Sequence, residues 1–182
     1  MGLGNPLMGD DGFGVRVVEL LGAGYRFPEN VEVMDAGTMG YMLLDAWRGV
    51  DHVIVVDAMR GTGHPVGTVL GPMSPDEFEH QIQHTGHDVR LVNVVQAAEL
   101  MGLTPNIVAF GVEVTAFEDK DWVLELSEPT EAAVPVAAGA VLQELESLGI
   151  ETVSCGDSDT HARILEALRT HAPMPDQGPA AS

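Results

Sequence analysis

Two short apolar runs constrain this chain more than anything else in it. Val53-Ile54-Val55-Val56 and Ile107-Val108-Ala109-Phe110 are rich in β-branched residues and bounded by polar or Gly positions. Short runs without alternation are the pattern of strands buried on both faces, which belong in the middle of a parallel sheet. Val31 to Met34 is a shorter strand candidate, and Val66 to Leu70, following Pro65, has the character of an edge strand. Helical patterns lie between them: from about Gly12 to Leu21, capped by Asp10 or Asp11; from Met39 to Trp47; and from about Asp88 to Met101. The longest helix is expected after Ser127, with Glu128 and Pro129 in its first turn and a buried stripe of Val134, Ala138, Val141, Leu145 and Leu148. Pro135, so early in that pattern, predicts a kink or a late start. The alternation of strand and helix predicts an α/β fold of three layers, helix/sheet/helix, around a twisted, mostly parallel sheet.

The first strand reads as truncated. Only Met1, Gly2 and Leu3 precede Gly4, whereas a strand of ordinary length needs about five or six residues. Each missing buried aliphatic side chain forgoes roughly 1.5–3 kcal/mol, so a chain with that strand restored is expected to be the more stable. A length of 182 residues with 45% apolar content suits one domain. The expected division is a body over 1–149 and an extension over 150–182, with a short helix at 160–169 carrying Ile164, Leu165 and Leu168, then a disordered tail.

Charge and composition exclude several classes. A formal net charge of -20, from 28 acidic against 8 basic residues, opposes binding to nucleic acid or to an anionic membrane surface. No run of about 18 apolar residues spans a bilayer and no amino-terminal signal is present, so the expected location is the cytoplasm. The single Cys155 excludes an internal disulfide and any Cys-rich metal site.

Three metal-capable side chains remain. Asp11 lies in the opening Gly4-Asn5-Pro6-Leu7-Met8-Gly9-Asp10-Asp11-Gly12 loop, Asp57 ends an apolar run, and His87 precedes a helix. Open α/β sheets bind ligands at the carboxyl edge of their strands, where Asp11 and Asp57 are expected to meet. Two carboxylates and an imidazole suit nickel, zinc, iron or manganese in an open site. One of the adjacent Asp10 and Asp11 suffices as a helix cap, which leaves the other for a cation or for base chemistry. His80 and His84 are expected to be exposed, because Thr85 and Gly86 separate them from His87. No Walker lysine, G-x-S-x-G, H-E-x-x-H or third glycine of a dinucleotide fingerprint is present.

Four ordered segments carry a resemblance: Gly2 to Val15, Met34-Asp35-Ala36-Gly37-Thr38, Val55-Val56-Asp57-Ala58 and His87-Asp88-Val89. Over roughly Gly2 to Leu148 the chain resembles the hydrogenase maturation proteases, endopeptidases that trim the carboxy-terminal extension from the large subunit of nickel-iron hydrogenases. The resemblance implies a phosphorylase/hydrolase-like sheet. It implies Asp11, Asp57 and His87 as the residues that recognise nickel already carried by the precursor, with no tightly bound metal in the free protein. Asp35, Gly37 and Thr38 match a stretch linked with substrate handling, where Ala36 stands in place of a common glycine, and Gly4, Asn5 and Gly12 shape the loop. Asp11 or Asp57 is the candidate general base, in a peptidase of aspartic or metal-dependent type acting as a monomer on the nickel-loaded precursor. The alternative is a non-proteolytic nickel-sensing or chaperone role in hydrogenase assembly.

Overall fold

The computed structural model describes residues 1–81, 91–115, 122–155 and 158–170. In chain order it contains β1 (Gly2–Leu3), a 3-10 turn (Gly9–Gly12), α1 (Phe13–Gly24), β2 (Tyr25–Arg26) and β3 (Asp35–Gly37). A second 3-10 turn (Gly40–Met42), α2 (Leu43–Ala46), β4 (His52–Met59), β5 (Val69–Met73) and α3 (Pro75–Gln81) follow. The chain continues with α4 (Leu91–Leu100), β6 (Asn106–Glu113), α5 (Glu128–Ser147), β7 (Val153–Ser154) and α6 (Ser158–Thr170). The main sheet has the order β3-β1-β4-β6-β5, parallel except for β5, which runs antiparallel to β6 at the edge.

The two apolar runs sit where continuous burial requires, as neighbours in full parallel register from His52↔Asn106 to Met59↔Glu113. Alternation sends Val56, Ala58, Phe110 and Val112 into one core with α1 and α5. It sends Val53, Val55, Met59 and Ala109 into a second core with Leu43, Phe78 and Leu91. These are the two outer helical layers expected from the strand-helix order.

Some elements fall elsewhere than the sequence pattern places them. Val31 to Met34 is not a strand; the segment that pairs is Asp35–Gly37, which β1 meets from Gly2↔Asp35 onward, while Val31 and Val33 pack against the α1/α5 core. β5 begins at Val69, after a turn in which Thr68 N–H donates to the Pro65 carbonyl. α5 starts directly after Ser127 and contains Pro135, so the helix has no late start. The N–H that Pro135 lacks would have met the carbonyl of Glu131, an exposed residue whose backbone water can satisfy.

The segment after Gly149 joins the body. β7 pairs antiparallel with β2, Ile164 of α6 is buried in the α1/α5 core, and the Tyr25 hydroxyl hydrogen-bonds His161 Nδ1 at 2.7 Å. Leu165 faces largely outward, and residues 171–182 lie outside the described residues. Cys155 is exposed. Among the described residues, no helix is long and apolar enough to cross a membrane.

Candidate active site

The turn carrying Asp11 is held by backbone contact. Gly4 leaves β1 with φ +119°, and a Cβ there would overlap the Asp11 carbonyl, so only glycine lets the loop close on itself. Asn5 then donates its backbone N–H to Asp11 Oδ2 at 2.8 Å, and Asn5 Oδ1 accepts the Leu7 N–H at 3.0 Å. Gly12 also runs close to the backbone of Pro6, whose Cα would lie 2.8 Å from a Cβ there. Asp11 is in consequence only 2% exposed.

Asp57 follows Val56, the register partner of Gly2. It is 4% exposed, and its Oδ1 accepts the Ala58 N–H at 2.8 Å. The turn bearing Asp11 touches β4, so adjacent parallel strands bring both carboxylates to the carboxyl edge of the sheet. Asp35, Gly37 and Thr38 border the same edge. Gly4 N–H donates to the Gly37 carbonyl at 3.0 Å, while Asp35 Oδ1 accepts the Gly37 N–H at 3.0 Å. Ala36 is buried among the aliphatic residues below, so a side chain is accommodated there.

His87, with His84, lies outside the described residues. Its flanks are informative: α3 ends at Gln81 and α4 opens at Leu91, and Phe78 and Leu91 pack on the sheet face shared by Val55, Asp57 and Met59. Among the described residues, no three of His, Cys, Asp and Glu gather as a metal-holding group. His80 is exposed, with Nδ1 hydrogen-bonded to the Asp76 carbonyl at 2.6 Å.

Neither Asp10 nor Asp11 caps α1. Asp10 instead reaches 117 residues along the chain: its Oδ1 accepts the Ser127 N–H at 2.6 Å and its Oδ2 the Ser127 Oγ–H at 2.8 Å. The first acid of the pair thus anchors the start of α5, and the second faces the sheet edge. A further buried acid, Glu113, escapes the sequence reading. Its carboxylate accepts N–H groups from Gly61 and Thr62 and the Thr62 hydroxyl, pinning the loop that leaves β4. Its one sequence signal is that it ends an apolar run, as Asp57 does. Chemically the edge offers two sequestered carboxylates suited to cation contact or to proton abstraction.

A family model for hydrogenase maturation proteases matches residues 15–144. The hydrogenase 2 maturation protease of Escherichia coli is 31% identical over 157 residues, covering 84% of this chain and 93% of that protein. The hydrogenase expression/formation protein HupM of Azotobacter chroococcum is 35% identical over 173 residues, covering 92% of this chain and 81% of that protein. Among solved structures, the hydrogenase maturating endopeptidase HybD from E. coli superposes with a TM-score of 0.73 at 29% identity, covering 86% of this chain and 96% of that one.

Proposed function

The chain belongs to the hydrogenase maturation proteases, and on that premise we propose that it is the endopeptidase that removes the carboxy-terminal extension of a nickel-iron hydrogenase large subunit once nickel is in place. The observation that supports this reading is a pair of buried acids on neighbouring elements: Asp11 in the turn after β1, which touches β4, and Asp57 within β4. Relatives bearing the names of proteases and endopeptidases favour cleavage over a purely chaperone role.

In this mechanism the nickel arrives as part of the substrate. Asp11, Asp57 and His87 complete its coordination, which fixes the scissile peptide beside the carboxylates. Asp11 or Asp57 takes a proton from water as that water adds to the peptide carbonyl; collapse of the adduct breaks the C–N bond and releases the extension with a protonated amine. Exposed Leu7, Trp122 and Leu124 border the Asp11 loop through the Gly9 N–H to Val123 carbonyl bond and offer apolar footing to an extended peptide. The strongly acidic chain favours a basic face on its partner. It works as a monomer in the cytoplasm, without a resident metal.

The test is cleavage of purified nickel-loaded and nickel-free precursor, read by intact mass. Nickel-loaded precursor is expected to be shortened, and Asp11→Asn, Asp57→Asn and His87→Ala are expected to abolish shortening while the far-ultraviolet spectrum stays native. Processing at the normal rate by all three variants would refute the assignment; equal cleavage of nickel-free precursor would remove nickel as the recognised feature.

A further inference from the structure

The connection from β4 to β5 runs across the active edge of the sheet. β6 lies between those two strands, parallel to β4 and antiparallel to β5, so residues 60–68 pass over the carboxyl end of β6. Backbone bonds mark the crossing: Gly67 N–H donates to the Glu113 carbonyl at 2.8 Å, and Glu113 N–H donates to the Thr68 carbonyl at 3.0 Å. The near end of the connection is held by the Glu113 side chain, which accepts Gly61 N–H at 3.0 Å, Thr62 N–H at 3.1 Å and the Thr62 hydroxyl at 2.6 Å. Glu113, the last residue of β6 and only 7% exposed, thus grips the connection at both ends. Three donors replace the water that its carboxylate gives up on burial.

Asp57 and Glu113 belong to the same face of the sheet. Val53, Val55 and Met59 of β4 enter one core with Ile107 and Ala109 of β6. With Asp57↔Gly111 and Met59↔Glu113 as register pairs, alternation assigns both acids to that face. Asp57 therefore has the turn bearing Asp11 on its β1 side and residues 60–68 on its β6 side. Much of that connection is bare backbone: Gly61 and Gly63 are exposed at φ +79° and +84°, and a Cβ at Gly63 would meet nothing within 4 Å. Backbone without side chains lets another chain come close and exchange main-chain hydrogen bonds.

We propose, on the peptidase reading above, that residues 60–64 form the wall of the substrate cleft opposite the Asp11 turn and receive the main chain of the precursor beside its scissile bond. Glu113 is then the positioning residue that holds this wall in place. With an anchor lost, the wall spends part of its time where it cannot receive the peptide, and apparent affinity falls by the competent fraction. Asp11 and Asp57, which act on the peptide once it is bound, keep their own contacts.

Steady-state cleavage of nickel-loaded precursor by the full chain tests this. Glu113→Gln keeps the shape of the side chain but turns one acceptor into a donor that faces donors; it is expected to raise KM about tenfold while kcat stays within about twofold of the parent value. Thr62→Val removes the hydroxyl from the surface side of the same anchor and is expected to raise KM about threefold, with most of that loss regained by Thr62→Ser. The double variant Glu113→Gln/Thr62→Val is expected to be no worse than Glu113→Gln alone, because both changes cut one anchor. Melting curves run beside the kinetics, and Thr62→Val carries the test should Glu113→Gln fail to fold. A clamp of purely structural value would lower the melting temperature and leave KM alone, so unchanged KM in the folded variants, or a fall confined to kcat, would overturn the wall. A parent chain that cleaves no precursor would instead remove the peptidase reading, and the wall with it.

Discussion

Gly14 and Gly22 lie on the same helix, yet adding one methyl group to each is expected to move stability in opposite directions. A Cβ at Gly14 would overlap the Val56 and Leu3 carbonyl oxygens and stand 2.7 Å from Leu3 N. All three are backbone atoms of β1 and β4, so no side chain can swing aside. Relief requires α1 to retreat by about 1 Å, and a gap of that size forfeits a quarter to a half of each dispersion contact it opens. Phe13, Val17 and Leu21 are packed in the core from this helix, which puts Gly14→Ala near the top of the overpacking range, about 3 kcal/mol. Alanine returns roughly 0.5–1 kcal/mol of helix propensity, leaving a net loss of about 2 kcal/mol. A Cβ at exposed Gly22 meets nothing within 4 Å, so there the propensity gain stands alone. For a chain of this size those values become a fall of about 4–8 °C for Gly14→Ala and a rise of about 1–4 °C for Gly22→Ala, measured by thermal melts and checked by urea midpoints. Because Gly14 follows Asp11 closely, the first variant should also slow precursor cleavage at temperatures where it remains folded. Equal stabilisation by both alanines would refute the claim that backbone contact, rather than helix propensity, sets the fit of α1 on the sheet.

Asp10→Ala leaves the Ser127 N–H without its acceptor and the Ser127 hydroxyl with Thr130 Oγ1 alone and should cost about 1–3 kcal/mol in urea unfolding; Asp10→Asn, which keeps one oxygen, should cost less, and an unchanged midpoint for alanine would remove the tie. Glu113→Ala frees the three donors it holds at Gly61 and Thr62, so exchange at those two amides should quicken about tenfold or more while amides in α5 stay protected. In protein whose first residue is Met1, the buried amine, lowered to about 6 from 8.0, makes the unfolded state bind more protons between those values. Stability should therefore be greatest above pH 8 and fall as pH drops toward 6, by up to about 2–3 kcal/mol, and acetylating the amine should flatten that slope.

The sequence exposes what depends on local pattern and hides what depends on distant partners. β4 and β6 were legible because burial on both faces leaves unbroken β-branched runs, and the position of Asp57 followed from where the first run stops. β3 was misplaced by a few residues because its pairing is fixed by a two-residue partner, not by its own apolar content. Glu113 was missed because Gly111 interrupts the apolar run, yet glycine stands there because the Met59 side chain occupies the space a Cβ would take. The bond from Asp10 to Ser127 was not anticipated, since one acid of the pair was expected to cap α1, and Ser127 is too far along the chain to leave a local signature.

That distance has a consequence for biosynthesis. The loop that carries Asp10, translated long before α5, depends on Ser127 to complete its hydrogen bonds. A nascent polypeptide that has not yet released that residue from the ribosome holds a loop with one acid unanchored, so this edge of the sheet is completed only after Ser127 has emerged. Premature termination before α5 therefore removes far more than a helix, since the carboxylate beside Asp11 loses the partners that settle it.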